Sequence, residues 1–182
     1  MADLLARVRR TPDRLLHPRR RRKAFENLRG RTPTTVLVVC HGNICRSPFA
    51  AAVLGRELET RGIDVQSAGF IGFNRPAPDE AMAAAVRHKV DLTVHRSRLL
   101  TPSVVRAADL IVVMDTTQRR RLYERFGRSP RDVVLLGDFD PDPVDSRTIR
   151  DPVNEDLDVF SEVYERIARC AHYLATALSA EG

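Results

Sequence analysis

From residue 35 onward, short apolar runs alternate with amphipathic stretches. Thr35–Val39 (TVLVV), Leu110–Met114 (LIVVM) and Val133–Leu136 (VVLL) are continuous apolar runs. Such runs fit strands buried on both faces. Ile63–Ser67 is a shorter strand. Between them lie helical patterns. Pro48–Arg61 reads as a helix with Ser47 as N-cap, Pro48 at the first helical position and Gly62 as a stop. Ala77–His88 is a second helix and Pro102–Ala107 a short one. Thr116–Phe126 follows Asp115 as its N-cap and ends at Gly127. The last helix spans Glu155–Leu178, with Phe160, Val163, Tyr164, Ile167, Cys170, Ala171 and Leu174 on one face. Strands alternating with helices predict an α/β domain. Its four-stranded parallel sheet is covered by helices on both faces. Ligands in such folds sit at the carboxyl ends of the strands. Cys40 follows the first of them.

Residues 1–34 break this pattern and read as a basic N-terminal extension, flexible or partly helical. Leu4, Leu5, Val8, Leu15, Leu16, Phe25 and Leu28 give short amphipathic turns. Pro12, Pro18 and Pro33 interrupt any long helix. The remainder, 35–182, is one domain. Charge sharpens the division. The chain carries a formal +6, but residues 1–34 hold eleven Lys or Arg against three acids, a net +8. The folded body is therefore slightly acidic, and the high pI belongs to the leader. Such a leader suits an anionic membrane surface or an acidic partner. It has no nucleic-acid motif behind it, so no nucleic acid is expected.

Composition excludes other classes. No apolar run approaches the roughly 18 residues of a membrane span. The basic N-terminus lacks the apolar core of a secretory signal. Three cysteines are too few and too odd in number for a disulfide scaffold. The expected location is the cytoplasm, where neighbouring thiols stay reduced.

The chemistry concentrates at residues 35–48, T-V-L-V-V-C-H-G-N-I-C-R-S-P. Cys-x5-Arg alone is weak in an arginine-rich chain. Here a strand precedes Cys40, and Ser47-Pro48 opens a helix after Arg46. Gly42 and Asn43 are able to take the positive φ of a tight anion-cradling loop. Successive backbone N–H groups in such a loop bind a dianion, and the following helix aims its N-terminus there. Arg46 grips two phosphoryl oxygens in a fork. The same positive field favours Cys40 as a thiolate nucleophile. With no lysine and no Gly-Lys-Ser/Thr ending, the loop suits a phosphomonoester better than a nucleotide.

V-C-x-G-N-I-C-R-S-P resembles the signature of the low-molecular-weight protein-tyrosine phosphatases. The resemblance continues through Ser67-Ala68-Gly69, His95-Arg96-Ser97-Arg98, Ala108-Asp109-Leu110-Ile111, Met114-Asp115, Leu136-Gly137-Asp138-Phe139 and Asp151-Pro152. It covers roughly residues 35–178. It implies a Rossmann-like, flavodoxin-like three-layer sandwich and an enzyme without metal or other cofactor. Cys40 would then form a phosphocysteine, with Arg46 binding the phosphoryl group. Asp151 would protonate the leaving phenolate and then deprotonate the attacking water. Ser47 would hydrogen-bond the sulfur. Asn43, supported by Ser67 and His95, would hold the loop in shape. Cys45 would trap oxidised Cys40 as a reversible disulfide. Asp140-Pro141 and Asp142-Pro143 share the loop with Asp151-Pro152, so Asp140 and Asp142 stay open as alternative acids. Asp151 is preferred because it stands just before the last helix, as in the family. Cys170 lies on the apolar face of that helix and reads as core.

The rim departs from the family. Val153 and Asn154 stand where aromatic residues often follow the Asp-Pro pair. Phe73, or Phe70, supplies an aromatic wall instead, and His41 lines the mouth of the site. His41, Gly42, Asn43, Ile44, Cys45, Ser47 and Phe73 are the expected substrate-binding set. A subgroup acting on phosphoarginine usually has Thr at the position of Ile44, and Ile44 favours an aryl phosphate. The resemblance implies phosphotyrosine in proteins as substrate, with a bacterial tyrosine kinase of polysaccharide export as partner. The competing readings are a phosphoarginine phosphatase or arsenate reductase on the same scaffold, and a non-catalytic phosphate-binding regulatory module.

Overall fold

The computed structural model describes the backbone of residues 2–179 and the side chains from residue 13 onward. Its centre is a four-stranded parallel sheet. The strands are β1 (Thr35–Cys40), β2 (Asp64–Gly69), β3 (Leu110–Val113) and β4 (Val133–Leu135), in the order β2-β1-β3-β4. The six helices among the described residues are α1 (Ala2–Leu28), α2 (Arg46–Leu58), α3 (Asp79–Val86), α4 (Pro102–Ala107), α5 (Thr116–Phe126) and α6 (Leu157–Ser179). The α/β reading therefore holds, and observed ends lie within three residues of those expected, as helix ends fray.

The period-two pattern of β1 explains the two layers. Val36, Val38 and Cys40 face one core with Phe49 and Leu54 of α2, Ala81 of α3 and the apolar stripe of α6. Leu37 and Val39 face the other core with Val105 of α4 and Leu122 of α5. Both faces of the central strand are thus dry, which is why it reads as an unbroken apolar run. Phe49 stacks on Tyr164 at a centroid distance of 3.9 Å, tying the helix after the Cys40 loop to α6. The register pairs Cys40 with Gly69 at the carboxyl ends of β1 and β2. That end of the sheet carries the site.

The leader corrects one expectation. Pro12 and Pro18 do not interrupt it, since α1 runs through both. A proline inside a helix costs about 3 kcal/mol, and tertiary packing offsets that. Leu28 is fully buried in the core. The Phe25 and Phe139 rings lie 5.5 Å apart, and Arg21 sits over both Phe25 and Tyr173. His17 is buried and donates from Nε2 to the Asp140 carbonyl at 3.0 Å. Leu15 is exposed, so it forms no apolar contact face there. The side chains of Leu4, Leu5 and Val8 lie outside the described ones. Pro33 stands in the short link to β1, beyond the helix.

Candidate active site

The loop 41–45 leaves β1 and enters α2, and it curls around the sulfur of Cys40. Ser47 Oγ donates to Cys40 Sγ at 3.0 Å, and the Asn43 backbone N–H donates at 3.3 Å. The sulfur thus accepts from two donors supplied by the loop and the start of the helix. Ser47 is therefore not an N-cap. The helix begins at Arg46, two residues before the expected Pro48, Cys45 holds the cap position without a side-chain bond, and the Ser47 hydroxyl is spent on the sulfur.

Only one of the two residues expected at positive φ adopts it. Asn43 sits at φ 51°, while Gly42 does not enter that region. The asparagine accepts this conformation because its side chain is held on three sides. Nδ2 donates to Ser47 Oγ and Ser67 Oγ, each at 2.9 Å, and Oδ1 accepts from Arg98 N at 2.8 Å. His95 Nε2 donates to the Asn43 carbonyl at 2.7 Å. Ser67 and His95 thus meet at Asn43. Gly69 is needed for a different reason. A Cβ there would lie 2.8 Å from Asn43 N and 2.9 Å from the Gly42 carbonyl carbon, inside the loop backbone.

Arg46 is buried and points along the loop. Its Nη1 donates to the Ile149 carbonyl at 3.0 Å, and its Nη2 pairs with the Asp151 carboxylate. Its Nε is buried and has no hydrogen-bond partner among the described residues. Asp151 is exposed on one side and meets Arg46 on the other. The choice among the three Asp-Pro pairs is now physical. Asp140 is completely buried and committed to Arg166 and Arg169. Asp142 is exposed and makes no ion pair among the described residues. Only Asp151 reaches the arginine of the loop.

Burial, reinforced by the neighbouring Cys40 charge, pushes the Cys45 thiol up to about 12. Burial likewise pushes Cys170 up to about 12. Both are therefore neutral thiols at physiological pH, and all three cysteines are free. Cys170 is core, as expected. Tyr164 donates to the Cys45 carbonyl at 3.0 Å, and burial raises its phenol above the ordinary range, so it remains a donor.

The rim is assembled by the segment after β2. Ile71 N donates to the His41 carbonyl at 3.1 Å, and the Arg75 guanidinium lies over Gly42 and Gly72. His41 and Phe73 are exposed there, Phe73 at 73%. Ile44 is buried. Val153, two residues after Asp151, is exposed. Arg75, the Ile149 carbonyl and the Tyr164 hydroxyl were not foreseen. Backbone acceptors carry no sequence signal, Arg75 is one arginine among many, and Tyr164 read only as part of an apolar stripe.

A strand-end cysteine within a cationic oxyanion loop, on a parallel α/β sheet, defines a cysteine-based phosphatase. The sequence matches the family model described as low molecular weight phosphotyrosine protein phosphatase over residues 35–182. A probable low molecular weight protein-tyrosine-phosphatase, EpsP, from Ralstonia nicotianae is 39% identical over 136 residues, covering 74% of this chain and 89% of that protein. The crystal structure of the Erwinia amylovora tyrosine phosphatase AmsI superposes with a TM-score of 0.74 at 31% identity, covering 83% of this chain and 97% of its own. The YwlE arginine phosphatase from Geobacillus stearothermophilus superposes at 0.72 with 27% identity, covering 81% and 94%. The chain belongs to the low-molecular-weight phosphotyrosine protein phosphatase family. It is a phosphatase of the protein-tyrosine class.

Proposed function

We propose that this enzyme hydrolyses phosphotyrosine in proteins through a phosphocysteine on Cys40. The observation that carries this is the double donation to Cys40 Sγ from Ser47 and Asn43, beside an Arg46 Nε with no partner among the described residues. In the first step the sulfur forms a bond to phosphorus and the phosphorus–oxygen bond to tyrosine breaks. Asp151 gives its proton to the departing phenolate. In the second step water attacks phosphorus, Asp151 takes its proton back, and the thiolate leaves. Arg46 and the backbone amides of residues 41–47 hold the equatorial oxygens throughout. Gly42, Asn43, Ile44 and Cys45 shape the cradle, while His41 and Phe73 border its mouth. No step calls on a metal.

A second reading has a specific basis, since YwlE arginine phosphatase shares the scaffold. Ile44 and the exposed Phe73 ring favour an aromatic leaving group instead. Phosphate release from matched phosphotyrosine and phosphoarginine peptides ranks the two. The proposal expects phosphotyrosine to be preferred, and faster turnover of phosphoarginine overturns it.

The substrate protein under this reading is a bacterial tyrosine kinase of polysaccharide export, in keeping with the family resemblance. The cytoplasm suits its three free thiols. The net charge of the leader supports a further contact with an acidic partner or an anionic membrane surface. A pull-down with the substitution Cys40→Ser tests the kinase. Absence of the phosphorylated kinase from the captured proteins removes that partner.

A further inference from the structure

Asp151 stands in an irregular stretch. Residues 140–156, between the tight turn at Leu136–Phe139 and α6, contain no helix or strand. Each ordered residue of such a stretch costs conformational entropy, so a carboxylate placed within it needs anchors from elsewhere. Two of them are close to Asp151. Ile149 N donates to the Met114 carbonyl at 2.9 Å, and the Ile149 carbonyl accepts from Arg46. The residues before Ile149 have a different anchor.

That anchor is Arg166 of α6. Its guanidinium nitrogens go to three separate points. Nε donates to Asp140 Oδ2 at 3.0 Å, Nη1 to the Thr148 carbonyl at 3.0 Å, and Nη2 to the Ser146 carbonyl at 2.7 Å. One planar group thereby ties the start of the stretch to the backbone just before Asp151. Two further contacts fold the stretch the same way. Arg147 pairs with Asp138. A Cβ at Gly137 would run into the Arg147 carbonyl and lie 3.3 Å from Arg166 Nη2, so glycine is what lets the backbone pass here.

Arg166 is itself held. Its partner Asp140 is fully buried, also receives Arg169, and offers its carbonyl to His17. Arg169 supplies the contrast. It reaches the same carboxylate through Nε and Nη2, and it makes no other hydrogen bond among the described residues. If Arg166 served only to neutralise Asp140, the two arginines would be equivalent. The two carbonyls that Arg166 alone holds give it a second role.

We propose that Arg166 is a positioning residue for Asp151. By holding the Ser146 and Thr148 carbonyls it fixes the backbone from which the acid reaches the leaving oxygen. It touches no reacting atom itself. This rests on the reading of Asp151 as the acid. Loss of Arg166 leaves Cys40, Arg46 and the cradle in place but loosens the placement of the proton donor. The consequence falls on substrates whose leaving oxygen needs a proton.

The test measures kcat/KM for a series of substituted phenyl phosphates. The proteins are the parent, Arg166→Lys, Arg169→Lys, Asp151→Ala, and the double variant of Arg166→Lys with Asp151→Ala. Lysine keeps a cation beside Asp140, but its single nitrogen cannot serve three separated acceptors. The quantity read is the ratio of good to poor leaving groups within one preparation. That ratio cancels the fraction of folded enzyme, so a destabilised variant is still informative. Arg166→Lys is expected to raise the ratio by roughly fivefold or more. Arg169→Lys should leave it within about twofold of the parent, and so should adding Arg166→Lys to Asp151→Ala change it by no more than about twofold, because the group being positioned is gone. An unchanged ratio in Arg166→Lys overturns the proposal. So do equal rises in the two lysine variants, or a full further rise in the double variant. Equal losses along the series in Asp151→Ala remove the acid reading, and the positioning role with it. A graded loss in Asp151→Ala beside an unchanged ratio in Arg166→Lys removes the positioning role alone.

Discussion

Arg46 and Asp151 lie 105 positions apart and share an ion pair, and the reading of the site turns on that contact. The arginine holds the acid at the mouth of the loop, where a leaving oxygen would emerge. Asp151→Ala should therefore lose activity according to leaving group. With aryl phosphates of poor leaving groups the loss is about 100-fold or more, and with good leaving groups it is within about tenfold. Steady-state rates across a series of substituted phenyl phosphates check this, and equal losses along the series count against the role. The sequence made this residue one of three candidates. Only burial of Asp140 against Arg166 and Arg169 removed a rival on physical grounds. Cys40 and Arg46 stood out through the strand before their loop and the Ser47-Pro48 helix start after it, while the roles of Ser47, Asn43, Ser67 and His95 came from the family resemblance. The Ile149 carbonyl that steers Arg46 was not legible, since every residue offers the same backbone acceptor.

At the scale of elements, the strands were readable because burial on both faces leaves unbroken apolar runs. Their ends were not, as the start of α2 shows. Ser47 looks like a cap, but its hydroxyl is more useful on the sulfur. The opposite end of the sheet is stitched by Asp109, just before β3. Its carboxylate accepts from Thr34 Oγ1 at 2.7 Å, Thr34 N at 2.8 Å and Thr35 N at 3.0 Å. The Thr34 hydroxyl first, and then these backbone donors, hold its carboxyl below the usual range. A depressed folded value means the stabilisation is full above the ordinary carboxylate range. It fades as pH falls through the lower, folded value. Asp109→Ala should therefore be less stable than the parent at neutral pH, by roughly 1 kcal/mol after solvent screening. The gap should narrow in acid. Thermal unfolding of both proteins across that range is the check. A gap that is absent at neutral pH, or that widens in acid, contradicts it.

For the whole molecule, the leader is what the sequence misjudged. Its prolines and charge suggest a loose tail, while Leu28, Phe25 and His17 bind it to the core beside α6 and to residues 136–140. The signal was spread over three residues with no short-range period, so pattern alone did not reveal it. His17→Ala removes a buried donor to the Asp140 carbonyl. It should cost about 1–2 kcal/mol, a few degrees in Tm, and an unchanged Tm would mean that the leader does not dock there. The catalytic body stands apart from that addition, and its central claim is a thiolate mechanism on Cys40. Phosphate release from a phosphotyrosine peptide with EDTA present, by the parent and by Cys40→Ser, tests that claim most directly. The parent should keep its full rate in EDTA, and Cys40→Ser should release none above background. A parent that stops in EDTA, or a serine variant that still turns over, contradicts it.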